Sequence, residues 1–446
     1  MPDIITLLTG IVNTDERTML HRMAIVIQAM LAMSGRVTML GISRWTEKGG
    51  SYRTVQRFFN TRIDWPALFF RFFQKHHYQS EATYILVGDE SVVTKAGHKT
   101  HGLDRFYAGL FNKPVKSIAI FALSLIDVTT RQSHPVQIEQ VVRIAAEKAA
   151  AKERTNARAA KKKKGTGKRG RPKGRKNKIR TDVTLTPELE RIQAMLKKQT
   201  ARFKGSLAVV YIALDGHFGN NNALQMVRQC GLHLISKLRY DTALYLPYTG
   251  ERKRKKYGER LIYQALPDEF LKDDTVENNI RTRIYRMTAL HKLFAQALNV
   301  VIITKVNLGT GASARVILFS SDLTLSYEKL IDYYRLRFQI EFNFRDAKQY
   351  WGLEDFMNVA EQPLTNALNI SLFMVNVAQV LLREYRQSIP QAGVLDLKSY
   401  YRANRYFAEM IKLLPQKPEP NSLTRLFGSI IAIGRIHPLK TTSGSP

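Results

Sequence analysis

The sequence predicts an α/β protein, in which buried strands joined by helical crossovers follow a helical N-terminal region. Three observations point there. YILVGDES from Tyr84, SLAVVYIALD from Ser206 and HLISKL from His233 are apolar runs of buried-strand length. Amphipathic or apolar segments of helical length stand between and after them. Up to about residue 79 the texture is helical, and at Thr83 it changes to strand-like.

The chain has 446 residues, 44% hydrophobic and 10% aromatic, enough for two or three domains with ample core. Its formal charge is +32 and its pI about 10.1. An excess of that size implies a polyanionic partner, nucleic acid or an anionic membrane. No apolar run is expected to reach a membrane span, and the N-terminus lacks a basic-then-apolar leader pattern. A lone cysteine, Cys230, excludes an internal disulfide and a cysteine-rich zinc site. These features predict a cytoplasmic, nucleic-acid-binding protein without membrane contact.

In residues 1–79, Thr18 to Met33 forms one long helix and Arg36 to Trp45 a shorter segment. After Gly49-Gly50, Ser51 is placed to cap YRTVQRFFN. Helix, glycine turn and helix, carrying Tyr52, Arg53, Gln56 and Arg57, resemble a helix-turn-helix reader of a major groove; plain helical packing is the competing reading. Strands follow at Tyr84, at Phe106 to Phe111 and at Ser117 to Val128, and a helical pattern is expected after Pro135. From Lys152 to Arg180 there are fifteen Lys or Arg and one acid, Glu153, a run unable to form a core. A helix resumes at Thr186-Pro187-Glu188, then the strand ending at Asp215, a helix over 221–230 and the strand at His233. Residues 239–320 are interrupted, with strand character at Val300 to Val306 and Ala314 to Asp322. Asn366 to Arg386 is a long apolar helix. The expected organisation is a helical DNA-binding domain (1–79), a core in two parts (80–238 and 321–387) interrupted by a basic arm (152–180), a β-rich insertion (239–320) and a C-terminal region (388–446).

The stretch around which these parts are organised is IDYYRLRFQIEFNFRDAK, Ile331 to Lys348, read as one unbroken helix. At about 100° per residue, Tyr334, Arg337, Glu341 and Lys348 share an arc of roughly 60°. Tyr333, Leu336, Ile340, Phe344 and Ala347 form an apolar stripe beside it. A carboxylate flanked by cations on a rigid face suits metal binding beside phosphate oxygens, although a salt-bridged surface helix has the same pattern. Two buried strands meanwhile end on Asp89 and Asp215. If these strands are neighbours, their carboxylates lie close enough to need a shared cation, and Glu341 would complete a hard-oxygen cluster. With no His or Cys group at ligand spacing, Mg²⁺ or Mn²⁺ is favoured over zinc. Two ions about 3.5–4 Å apart can stabilise the attacking and leaving oxygens of an in-line phosphoryl displacement. A strand-ending Asp is by itself commonly a turn former, and Asp127 ends a strand too.

Tyr334, Arg337, Glu341 and Lys348 reproduce, with unbroken spacing, the Y-R-E-K signature of a family of bacterial insertion-sequence DDE transposases (insertion-sequence family four), which this chain resembles. ILVGDES resembles that family's first Asp motif, IALDGHFGN its second, and SSDLTLSYEKLIDYYRLRFQIE the approach to its Glu. The likeness spans roughly residues 83–385. It implies a ribonuclease-H-like catalytic core with a mostly β insertion before the Glu-bearing helix. It also implies Asp89, Asp215 and Glu341 as metal ligands and catalytic residues, with Tyr334, Arg337 and Lys348 as contacts to phosphates at a transposon end. The expected cofactor is Mg²⁺ or Mn²⁺ as two ions. The partners are double-stranded DNA at the ends and target, and a second copy in an active homodimer near the bacterial nucleoid. No hairpin-stabilising tryptophan is identified; Trp351 is nearby. Within the basic run, Arg169-Gly170-Arg171-Pro172-Lys173 resembles an AT-hook suited to a narrow minor groove, against a sequence-blind arm on phosphates. A nuclease of the same fold and a non-catalytic DNA-binding protein derived from a transposase are the alternative functions.

Overall fold

The structure is a computed structural model that describes residues 3–11, 16–46, 50–145, 147–149, 153, 156, 179–252, 254–416 and 419–437. The hook-like Arg169, Arg171 and Lys173 lie outside the described residues.

The chain opens with helices α1 (Ile4–Leu8), α2 (Arg17–Ala32), α3 (Met39–Ser43), α4 (Tyr52–Asn60) and α5 (Trp65–His76). Ser51 caps α4, its Oγ accepting from the Thr54 N–H at 3.3 Å. Val55, Phe58 and Phe59 face inward from α4, while Tyr52, Arg53, Gln56 and Arg57 are exposed. Strands β1 (Tyr84–Thr94), β2 (Asp104–Ala108), β3 (Lys113–Asp127) and β4 (Ser133–Val141) follow, then helix α6 (Pro187–Phe203), strand β5 (Val209–Ala213), helix α7 (Asn221–Gln229) and strand β6 (His233–Leu238). The next segment contributes β7 (Leu244–Pro247), β8 (Tyr257–Arg260), β9 (Leu271–Glu277), β10 (Ile280–His291), β11 (Leu298–Asn307) and β12 (Ser313–Ser320). Helices α8 (Tyr327–Leu336), α9 (Gln339–Tyr350), α10 (Glu361–Ser388), α11 (Val394–Leu413) and α12 (Pro420–Ala432) complete the described chain.

All twelve strands join one mixed sheet. Its centre is β3-β1-β5-β6, with β1, β5 and β6 parallel, β3 antiparallel to β1, and β4 on the far side of β3. This is the ribonuclease-H-like arrangement expected of an α/β chain with crossover helices. The insertion does not form a separate sheet: β12 pairs antiparallel with β6, so β12, β11 and β10 extend the same surface.

Helix α10 lies against this sheet and ties the N-terminal helices to it. It is long and apolar enough by composition to cross a membrane, contrary to the expectation that no run reaches that length, and it is mostly buried in the protein. Met30, Phe58, Phe72, Ile85, Ile126 and Phe373 belong to a single apolar core. Asn366 of α10 is fully buried at the junction. Its Oδ1 accepts from Trp65 Nε1 at 2.8 Å, and its Nδ2 donates to the carbonyls of Phe59 and Thr61, each at 2.7 Å. The amide thereby satisfies the carbonyl end of α4, which would otherwise be orphaned on burial.

Three expectations are corrected. The segment after Pro135 is strand, not helix: Val136 and Ile138 are buried beside β3, and the ladder it offers outweighs local helix propensity. β1 does not stop at Asp89; it continues to Thr94, because β3 accompanies it for that whole length while β5 does not. The stretch Ile331 to Lys348 is two helices. At Arg337–Phe338 the bonds tighten to i→i+3, as in Ile340 N–H to Arg337 O at 3.2 Å and Glu341 N–H to Phe338 O at 3.1 Å. The break needs no Pro or Gly and falls at the residue whose guanidinium is bound to Asp89.

Beneath α10, the His77 and His134 rings lie against each other at a tilt of 32° with centroids 4.1 Å apart, both almost fully buried. Burial pushes both imidazoles down, His134 to about 4, with Arg383 adding to the effect and Asp127 opposing it at His134. In the unfolded chain a histidine titrates near 6.5. Below that pH the unfolded state therefore binds protons that the folded state refuses. Stability is full above about pH 6.5 and falls as pH drops toward about 4, by up to about 1.4 kcal/mol per pH unit for each histidine. Urea unfolding between pH 7 and pH 5 should show this slope, and His134→Gln should flatten it; an unchanged slope would assign the acid sensitivity elsewhere.

Candidate active site at the sheet edge

Strand pairing places the two aspartates. β1 and β5 are adjacent and parallel, with Val87 opposite Ala213. Asp89 and Asp215 each stand two residues beyond that pair, so they leave neighbouring strands, about 4.8 Å apart, at the same level. Asp89 accepts from the Glu90 N–H at 2.9 Å through Oδ1. Asp215 caps a short 3₁₀ turn, accepting from the His217 N–H at 3.1 Å, while its carbonyl accepts from Ser236 Oγ at 2.6 Å. Gly219 in this turn cannot carry a side chain, since a Cβ would lie 2.1 Å from the Lys237 carbonyl oxygen.

Glu341 reaches the same place from α9. The helix is fixed in rotation by Asn343, a buried residue whose Nδ2 donates to Ser133 Oγ at 2.7 Å and Ser124 Oγ at 3.2 Å. Ile340, Phe344 and Ala347 bury the stripe read from the sequence. Arg337 then joins the carboxylates: Nη1 donates to Asp89 Oδ2 at 2.6 Å and Nη2 to Glu341 Oε1 at 3.3 Å. Its side chain is only 15% exposed.

The electrostatics follow from this crowding. Burial raises the Asp89 carboxyl above its ordinary range; Arg337 pulls it back, and Asp215 adds to the rise. Glu341 is raised by burial too, with Arg337 opposing and Asp89 reinforcing. The Tyr334 hydroxyl, half-buried beside Arg337, is raised by burial. Lys348 lies further along α9, donating to the Val92 carbonyl at 3.1 Å and paired with Glu354 at 3.2 Å. Thus Asp89, Asp215, Glu341, Arg337 and Tyr334 come together, and Lys348 stands beside β1. Arg53 and Arg57 remain on the outer face of α4. Asp127 has the ordinary role of a strand-ending Asp, its Oδ1 accepting from the N–H groups of Thr129 and Thr130. Trp351 is sealed in the core.

A cavity of about 420 Å³ opens beside Asp89 and Asp215, lined on its other side by Phe106, Phe121 and Phe218. In it His217 Nε2 stands 3.3 Å from the Glu188 carboxylate, whose hydrogen bond raises the imidazole. Nothing local in the sequence announces this pair: His217 sits two residues after Asp215, but its partner comes from α6.

The trio offers only carboxylate oxygens, the donor set of a hard divalent cation. Among the described residues no three His, Cys, Asp or Glu side chains are gathered as closely as a ready metal site needs. Arg337 holds the position between Asp89 and Glu341 where a shared cation is called for, and its buried Nε has no hydrogen-bond partner. The residues therefore fit such an ion in chemistry, with the guanidinium as the present counter-ion.

This is an acidic, cation-demanding site at the edge of a ribonuclease-H-like sheet. The model of the family described as DDE superfamily endonuclease matches residues 6–291, and the chain belongs to that family. The matched region contains Asp89 and Asp215 and ends before Glu341. No curated protein matches the chain.

Arg337→Ala should leave Asp89 and Glu341 facing each other without a counter-charge. We expect a loss of about 1–3 kcal/mol, reduced from the buried-pair value because Glu341 is partly solvated. Millimolar Mg²⁺ should restore more of the melting temperature in this variant than in the wild type. Equal Mg²⁺ effects on the two proteins would show that the guanidinium and a metal do not share the position.

Proposed function

We propose that this DDE-superfamily protein is a transposase of the insertion-sequence type that carries the Y-R-E-K signature. In this reading it cuts DNA strands at the ends of an element and joins the freed 3′-hydroxyl to target DNA. The observation that carries the reading is the convergence of Asp89 and Asp215, level on adjacent parallel strands, with Glu341 held to Asp89 through Arg337. The Y-R-E-K spacing from Tyr334 to Lys348 supports the narrower assignment.

Asp89, Asp215 and Glu341 would hold Mg²⁺ or Mn²⁺, as one or two ions, which when bound supply Lewis acidity at the attacked phosphate. Arg337, released from the carboxylates, offers two parallel N–H groups to phosphate oxygens. Tyr334 adds a hydroxyl donor, and Lys348 a point charge farther along the strand. His217, paired with Glu188 in the cavity that Asp89 and Asp215 also line, would take a proton from the attacking water or hydroxyl. Hydrolysis of one phosphodiester leaves a 3′-hydroxyl and a 5′-phosphate; attack of that hydroxyl on a second phosphodiester exchanges one ester for another and needs no energy-rich cofactor. Arg53 and Arg57 on α4, together with Arg169, Arg171 and Lys173, would hold the duplex. Two copies would act together on two ends, in the cytoplasm beside the nucleoid. A nuclease on the same fold is favoured by the family description, and it would give cut but never joined strands.

The test is incubation with the DNA that flanks the protein's own gene, in Mg²⁺, scoring nicked and joined strands. Asp89→Asn, Asp215→Asn and Glu341→Gln should each reduce cutting by at least about a thousandfold, as loss of a central electrostatic group does, with duplex binding kept. Asp127→Asn should cut normally. Near-normal cutting by any of the three would remove that residue from the catalytic set, and cut strands without joined product would leave the nuclease.

A further inference from the structure

We propose that the β2–β3 hairpin is an arm that lies along bound DNA and wedges its apolar tip between base pairs; this rests on the DNA-cutting reading above. β1 and β3 do not end at the catalytic edge. Asp89 is paired with Ala122, yet the ladder continues to Thr94–Ser117, and β2 then extends it to Ala108–Lys113. β5 has stopped at Ala213, and the pairing of β4 with β3 ends at Ala119–Val141. From Ala122 to Lys113 is nine residues, about 30 Å of strand, or about nine base pairs of duplex laid alongside.

The base of this arm is anchored. Lys95 donates to the Phe356 carbonyl at 2.9 Å and sits 3.4 Å from the centre of the Phe356 ring. The tip has a fixed shape: Asn112 adopts a left-handed φ of 51°, its N–H donates to the Gly109 carbonyl at 3.2 Å, and the Tyr107 hydroxyl donates to Asn112 Oδ1. This turn carries Leu110 91% exposed, Tyr107 59% exposed and Phe111 48% exposed. Leu110 at the point of this turn buries almost nothing within the protein, and with the partly exposed Tyr107 and Phe111 it makes an apolar tip open to an external partner.

The charge of the arm indicates which partner. Between residues 95 and 117 the cations are Lys95, Lys99, Arg105, Lys113 and Lys116, and the single acid is Asp104. That acid is already neutralised by Lys148 at 3.5 Å and Arg143 at 3.9 Å. A second copy would bring an identical basic arm on a chain of net charge +32, which repels it. DNA supplies phosphates for the flanks, and an unstacked base step supplies an apolar slot for the tip. β3 pairs with β1, the strand that carries Asp89, so the arm leaves the sheet next to that carboxylate.

The experiment uses full-length protein. Wild type first locates the cut in the DNA flanking its gene. The Asp89→Asn chain is then bound to matched duplexes carrying 2-aminopurine at successive positions up to about ten base pairs from the cut. Fluorescence should rise at one step, and Leu110→Ser with Phe111→Ser should remove most of that rise. Leu110→Met with Phe111→Trp should keep it, and melting temperatures equal to wild type check that replacing the half-buried Phe111 has not disturbed folding in either pair. If the wild type neither binds nor cuts duplex, the underlying reading falls and the wedge with it. If it binds and cuts but no step unstacks, or the Ser pair unstacks it equally, the wedge alone is overturned. Loss of self-association in sedimentation, or of binding to anionic phosphatidylserine vesicles, with unstacking unchanged would overturn it in favour of that other occupant.

Discussion

Three carboxylates brought to one sheet edge repel one another, and a cation bound between two of them, Asp89 and Glu341, offsets that repulsion. Here that cation is Arg337. Parallel pairing of β1 and β5 fixes Asp89 and Asp215 at one level, so their proximity is built into the sheet and cannot relax without breaking its register. Glu341 comes on a separate helix and could withdraw. It is kept in place by Asn343 below it and by the guanidinium of Arg337 beside it. The burial that raises Asp89 and Glu341 also strengthens their attraction to Arg337, since both effects arise from removing water.

Much of the remaining structure serves to hold α9 at that edge. α10 is buried along almost its whole length, and α9, the N-terminal helices and the sheet share the core it belongs to. Asn366 links it to the end of α4 and to Trp65, while Asn376 and Gln379 donate to the carbonyls of Pro135 and Ser133 on β4. Buried amides of this kind cost free energy unless every partner is in place, so they favour one packing over its neighbours. The helix that carries Arg53 and Arg57 is thus set at a fixed position relative to the acidic edge, not tethered loosely to it.

The strands bearing Asp89 and Asp215 were legible because each is a continuous apolar run of strand length, although Val210 on β5 is half exposed, and the stripe on α9 because helical periodicity is local. Adjacency of the two strands was a condition the sequence could only pose. What was not legible depended on partners far away in the chain. β4 contains a pattern that suits a helix as well as a strand, and the β3 ladder decides it. The extension of β1 past Asp89 exists because β3 accompanies it. The break at Arg337–Phe338 has no Pro or Gly to announce it and coincides with a bond to a residue 248 positions away. Glu188 lies 29 positions from His217 and on another helix. Asp127 shows the converse: its local pattern equals that of Asp89, yet its carboxylate is satisfied by its own turn.

In the proposed function Arg337 would have two duties, and this constrains how such a site could work. A guanidinium bound to two carboxylates is not free to hold a phosphate, and a phosphate bound to it leaves those carboxylates uncompensated. The two states are therefore linked: whatever cation replaces Arg337 between Asp89 and Glu341 also releases it toward an anion. Binding of a positive ion and of a DNA phosphate would then be mutually favourable, each lowering the cost of the other, although the two partners would occupy different atoms. A site organised this way would stay partly neutralised when empty and become receptive to both partners together. For a protein of charge +32, which attracts polyanions along its whole surface, that coupling is a physical means of keeping reaction apart from mere adhesion.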